Sequence, residues 1–471
     1  MVAIPFPLSS APGRVPQEGA GRLLNCFAEP LGDGRAVWAR CPGLTLFATS
    51  TQETFCGGLQ VAGTLYTAWD GKVTTFNSSG TETVLSGTLL TTTNKGFWAR
   101  NNRSTPDVVF VDPQNGAYTV TSSAVSAFAD IDLPTPNSVC FQHGYFFFTI
   151  GDGRVFNSDL NAVTVNSLGF TTAEAKPDGA LRAIPWNDQL YIFGQASIEI
   201  YQDTANTPPA FPYSLVTTVS RGIAGRYAVA GHEDGFGQEL LWVADDNTVC
   251  RLKGYQPDKV SPPHLDRLIA AVADKNTLEA SCYISGGHPK WVLSCADWTW
   301  EFDLNTQKWN ERASYLIPRW RGTQALFAFG KWIVGDTVSG NKLLAVDNMA
   351  HTEDGDPLLY RIESGPVAKF PNRTVVPRAD FNFASGVGIA TGPDPIATQP
   401  RVRVSWSDDG GVSWGNPLHR LLGPQGRGEV RVTVTRTGMA GPMGRRWRLD
   451  VTDPVHVGLV GGDQATILGS N

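Results

Sequence analysis

The sequence predicts an all-β protein, a β-propeller of six or seven blades with a C-terminal β-sandwich-like domain, on three observations. Short apolar strand pairs recur, starting near residues 65, 109, 145, 190, 241, 291 and 332. Such a period, with several strands per repeat, marks propeller blades. The composition suits many short strands and tight turns: 50 Gly, 31 Pro, 17% charged residues, and 23 Phe, 14 Trp and 11 Tyr to fill a core. Beyond residue 365 the texture changes to longer runs that alternate charged and apolar side chains. The expected organisation is an N-terminal arm with the first strands over 1–50, the propeller over 51–365, and over 366–471 a second β domain.

The repeats read in order as hairpins. Run 65–69 passes through Asp70-Gly71 into 73–76, and run 108–111 passes through Asn115-Gly116 into 118–120. Run 144–148 leads to Gly151-Asp152-Gly153, and 189–194 is followed by 198–201. Run 240–243 crosses Asp245-Asp246-Asn247 into 249–252, 291–293 precedes 298–303, and 332–336 precedes 343–346. The Asp-Gly and Asn-Gly steps supply the positive φ that tight hairpin turns need. Segment 300–309 resembles a kelch turn, in which an apolar strand ends at Asp303 and Trp309 opens the next. One helix of about two turns is expected over 265–273, introduced by Pro262-Pro263. In the C-terminal domain, 376–383, 401–406, 431–435 and 447–451 alternate as half-exposed strands do.

The net charge of −6 excludes a general polyanion binder, but the charge is uneven. Between Arg401 and Arg448 stand nine Arg against Asp408, Asp409 and Glu429, a local +6. Most surface charge is simply solvated; the sharper reading is contact with DNA or with an acidic neighbour. The seven cysteines are odd in number and lack CxxC spacing, so they read as buried reduced thiols. The start of the chain lacks a signal peptide's basic and apolar regions, and no run is long enough to span a bilayer. A soluble protein made in a cytosol is expected.

The sharpest local motif is 407–414, which resembles an Asp-box, S-x-D-x-G-x-[ST]-W, with Ser407, Asp409, Gly411 and Trp414 as its structural residues. Ser and Asp side chains bond nearby backbone, and Gly relieves the turn. Sialidases carry several such boxes, and one is found here. No G-x-S-x-G, H-E-x-x-H or Walker loop occurs, and the seven His are scattered. No catalytic, cofactor-binding or metal residue is therefore assigned, and no cofactor is expected. Asp354-Gly355-Asp356 lacks the further ligands of a calcium loop.

An ordered set of blocks resembles a known family. It comprises Asn25-Cys26-Phe27-Ala28-Glu29, Cys41-Pro42-Gly43-Leu44, Ala173-Glu174-Ala175-Lys176-Pro177-Asp178-Gly179, and the runs 190–194, 198–201, 211–213, 241–245, 249–255, 331–336 and 407–414. Their order is similar to the P22-type packaged DNA stabilization proteins, the tail hub or nozzle of podoviruses. The chain departs from them in having Cys26-Phe27 where an aromatic pair is common. The resemblance implies a structural virion subunit, not an enzyme, assembled in the host bacterial cytoplasm. It implies a ring, hexameric, under the portal and its adaptor protein, holding a tail needle or tip protein beside a tailspike or tail fibre. Such a ring closes the channel on packaged DNA and lets double-stranded DNA pass at ejection. Within it, Arg420, Arg427, Arg431, Arg436, Arg445, Arg446 and Arg448 face either the channel or an acidic neighbouring ring. The second is favoured, because tight phosphate binding would slow DNA transit. Two alternatives differ in kind. A carbohydrate-active or glycan-binding propeller of sialidase type predicts an axial pocket and glycan turnover, whereas a kelch-type scaffold predicts a monomer with one adhesive loop face.

Overall fold

The computed structural model describes residues 1–90, 94–173, 176, 178–206 and 210–468. Glu174, Ala175 and Pro177 of the quoted blocks lie outside them. The chain divides into two compact units, 46–284 with 321–345, and 1–45 with 285–320 and 346–471.

The first unit is a β-propeller, as expected. Five antiparallel sheets of four strands follow one another along the chain, each with its strands side by side in sequence order. They open with Gly57–Val61, Phe97–Arg100, Pro136–Gln142, Arg182–Trp186 and Val229–Ala230. The hairpin of Gly322–Ala328 and Lys331–Asp336 packs back on the first sheet. Leu326, Ala328 and Ile333 share one core with Leu65, Trp69 and Phe76, and Phe329 N–H donates to Gln60 Oε1 at 3.1 Å. This contact joins the last sheet of the unit to its first.

The apolar runs of the sequence are the second strands of the sheets. Tyr145–Ile150 is buried at all six positions, and Val108–Asp112 at all five. A strand covered by sheets on both faces reads as a continuous apolar run. The helix is Pro263–Ala271, ending two residues before the expected limit. Leu265 and Ile269 are its buried side. Val272 is already extended, and Lys275 Nζ donates to the carbonyls of Ile269, Ala270 and Val272, satisfying acceptors that the helix end leaves open.

The second unit is sandwich-like. One sheet runs Cys26–Pro30, Ala36–Arg40, Gly458–Gln464, Arg378–Phe383, Val432–Thr435. The facing strands include Arg22–Leu24, Tyr360–Glu363, Arg446–Val451 and Arg401–Ser407. Side chains of both layers share one core, with Phe381 edge-on to Trp447 at 5.3 Å. The division differs from boundaries at 50 and 365. The N-terminal strands are not a separate arm, because their apolar positions (Cys26, Ala28, Trp38) need a facing layer and share one core with Tyr360, Ile362, Val402, Val404, Trp447 and Leu449 of the opposite sheet. Within their own sheet Trp38 pairs with Leu459. Residues 285–320, including the kelch-like hairpin, also belong to this unit, through Lys308–Arg312 beside Arg22–Leu24.

Asp354-Gly355 forms the two-residue turn of a hairpin, with φ of 52° and 87° and Glu353 paired to Asp356. All seven cysteines are buried and unbridged, and burial pushes the Cys56 thiol up to about 12.

The second unit also predicts a pH effect. His351 lies 6.3 Å from His456, and burial, then the nearby Arg40 and His456, lower its pKa to about 4. The unfolded histidine takes its proton near the ordinary value of about 6.5, so stability should fall as pH drops from there toward 4. The loss from this one group should reach about 2–3 kcal/mol. Urea midpoints at pH 7 and pH 4.5 check it, and His351→Phe should shrink the difference.

Candidate functional site

The Asp-box is a closed turn built on one carboxylate. Strand Arg401–Ser407 ends at Ser407, whose hydroxyl donates to Asp409 Oδ1 at 2.6 Å and accepts from Gly411 N–H at 2.7 Å. Asp409 also accepts from the N–H groups of Val412 and Ser413 at 3.0 to 3.1 Å and from the Ser413 hydroxyl. Burial raises the Asp409 pKa, but the hydrogen bonds from Ser407 and Ser413 outweigh it and hold the carboxyl below its usual range. Gly410 and Gly411 have φ of 83° and 98°, a region closed to most side chains. Trp414 packs on the guanidinium of Arg448, 4.6 Å from ring centre to Cζ. The bonds of Ser407, Asp409 and Ser413 close within the turn, and Asp408 reaches out of it to the Arg445 guanidinium, so both carboxylates of the box serve the fold. Asp409→Ala should cost about 1 kcal/mol, read as a shift in the denaturant midpoint with an unchanged slope.

The seven expected arginines separate into three groups: two buried, two half-buried and three exposed. Arg445 is 0% exposed and Arg446 4%. Arg445 grips Asp408 in a two-point ion pair at 2.8 and 3.0 Å, and Arg446 donates to the carbonyls of Gln17 and Gly19. Neither can face a channel or a neighbouring ring, which corrects the sequence expectation. The reason is their neighbours: Trp406 and Trp447 stand opposite each other on paired strands and cover the Arg445 guanidinium. Arg448 is half-buried under Trp414, and Arg420 is half-buried with its Nε on the Thr433 carbonyl at 2.7 Å. Arg427, Arg431 and Arg436 remain exposed and form no ion pair among the described residues.

A second feature was not foreseen. In the propeller unit a cavity of about 570 Å³ is lined by residues of Gly57–Val61, Phe97–Arg100, Pro136–Gln142, Arg182–Trp186, Val229–Ala230, Glu279–Ser285 and Gly322–Ala328, the opening strands around the axis. Glu279, 4% exposed, pairs with Lys95 and accepts from the Thr323 hydroxyl at 2.8 Å. Glu233 accepts from Gly231 N–H at 2.6 Å and from the Cys282 thiol at 3.1 Å. Arg182 donates to the carbonyls of Arg226 and Val229 at 3.3 and 3.2 Å and meets His232 Nε2 at 3.4 Å. These opening strands mix polar and apolar residues with no shared run or alternation, so no sequence pattern announced the cavity. Among the described residues, no cluster of His, Cys, Asp or Glu has the makings of a metal site.

A family model described as Bacteriophage P22 Gp10, beta-propeller, matches residues 25–347. The chain belongs to this family. The Gp10 match covers the propeller unit together with residues 25–45 and 285–320 of the second unit, and it holds the blocks from Asn25 to Asp336. It stops before the Asp-box and the arginines, so those residues rest on this chain's own geometry. No curated protein matches the sequence. Among solved structures, the chain is similar to the WD40 β-propeller domain of Doa1, with 10% identity and a TM-score of 0.41 over 64% of this chain and 96% of that one. It is also similar to PorZ, a surface component of the type-IX secretion system of Porphyromonas gingivalis, with 9% identity and a TM-score of 0.39 over 70% of this chain and 44% of that one.

Proposed function

We propose that this chain is the tail hub, or nozzle, subunit of a short-tailed bacteriophage. It forms a hexameric ring beneath the portal-adaptor, closes the DNA channel, stabilises the packaged genome and opens at ejection. The observation that carries this reading is the Gp10 family match over 25–347, which makes the chain a phage structural protein. Three further features support the finer picture. Neighbouring blades share apolar cores, as a stiff ring subunit requires. The surface arginines Arg427, Arg431 and Arg436 lack carboxylate partners of their own, as contacts to an acidic neighbouring ring would require. Both carboxylates of the Asp-box are committed, Asp409 within the turn and Asp408 to Arg445, which favours a mechanical role over the glycan-hydrolysing alternative.

In this role no bond is broken. Retention needs a head-to-tail interface that closes into a ring, and release needs a second arrangement of it. The subunit joins the adaptor on one side and a needle or tip protein on the other, with a tailspike or fibre at the periphery. Native mass spectrometry of the purified chain mixed with the phage adaptor ring tests this. Six copies on the adaptor are expected. A chain that stays monomeric in its presence contradicts the reading.

A further inference from the structure

We propose that the axial cavity of the propeller binds a small organic carboxylate, held by the Arg182 guanidinium beside the Phe97 and Tyr227 rings. The charges that line the cavity are not equivalent. Glu279 has Lys95 as its partner, and Glu233 is committed to the Gly231 N–H and the Cys282 thiol. Arg182 has only two backbone carbonyls and a histidine nitrogen, and no carboxylate lies within ion-pair distance of it among the described residues. Burial, opposed by the longer-range charge of Glu233, lowers its pKa to about 10, as for a cation that lacks a close counter-ion.

The surroundings fit a carboxylate with an organic body. The guanidinium lies 4.8 Å from the centre of the Phe97 ring, and Phe97 stacks on Tyr227 at 5.5 Å. A planar guanidinium fork takes both oxygens of a carboxylate, and the bond is stronger out of water. The volume of about 570 Å³ is that of a small-molecule site. The carboxylate has two sources of that size, an acidic sugar or an acidic amino-acid derivative, and matched pairs of probes distinguish them.

The test is calorimetric titration of the full chain with glucuronate against glucose, and with N-acetylglutamate against N-acetylglutamine. The acidic member of at least one pair should bind at least tenfold more tightly than its neutral twin, and the pair that responds names the source. Arg182→Gln should erase that preference. Ala280→Phe narrows the cavity while leaving Arg182 in place, and should weaken binding at least tenfold even if Arg182→Gln fails to fold. Equal binding of acidic and neutral probes overturns the proposal. So does absence of binding in both pairs, or native affinity in a folded Ala280→Phe variant.

Discussion

Arg445→Ala should destabilise the sandwich unit by about 3 kcal/mol, and Arg445→Glu should prevent it from folding. Arg445 is fully buried, and Asp408 is 36% exposed at its side chain. The guanidinium makes two bonds to that carboxylate and one to the Thr437 hydroxyl, and lies 5.4 and 5.7 Å from the ring centres of Trp406 and Trp447. Truncation removes the ion pair and opens a void against the paired indoles, and both terms act in one direction. Reversal puts a second carboxylate beside Asp408 with no cation near it, which is costlier still. Arg445→Met keeps most of the volume and should cost less than alanine. Denaturant unfolding followed by tryptophan fluorescence measures all three. An Arg445→Glu variant of native stability would mean that this side chain is at the surface after all.

The exposed arginines should behave in the opposite way. Arg427→Glu, Arg431→Glu and Arg436→Glu together should leave the denaturant midpoint nearly unchanged, because isolated surface substitutions each stay within about 0.5 kcal/mol. The same triple variant should fail to enter particles, or should yield particles that leak DNA. If these residues meet an acidic ring, reversal turns attraction into like-charge repulsion across the contact, which costs several kcal/mol at an interface. The binding of wild-type chain to its adaptor should then weaken as salt is raised. Complementation of a phage lacking this gene product, with counts of incorporated protein and retained genome, reads the outcome. Normal incorporation and retention would remove the arginines from the account.

What could be read from the sequence follows from where each strand lies. Second strands such as Tyr145–Ile150 are covered on both faces, so their apolar character is continuous and visible. The opening strand Gly57–Val61 has two glycines and a Gln facing partly into the cavity, and no run or alternation to find. The axial cavity and Arg182 were invisible for that reason. The Asp-box was readable residue by residue because the bonds of Ser407, Asp409 and Ser413 close within a few positions, whereas the pairing of Asp408 with Arg445 was not. The arginine stretch was readable as charge but not as burial: Arg445 and Arg427 look alike until the cross-strand pair Trp406–Trp447 is known. The pairing of Trp38 with Leu459 spans most of the chain, and nothing local to either strand names the other.

Electron microscopy of this protein in purified particles tests the tail-hub reading most directly. The account predicts a six-membered ring with an open or plugged bore, seated under the adaptor, with Arg427, Arg431 and Arg436 at the contact with an adjoining ring. Particles that carry no such ring, with the chain found only as a free monomer, would contradict it.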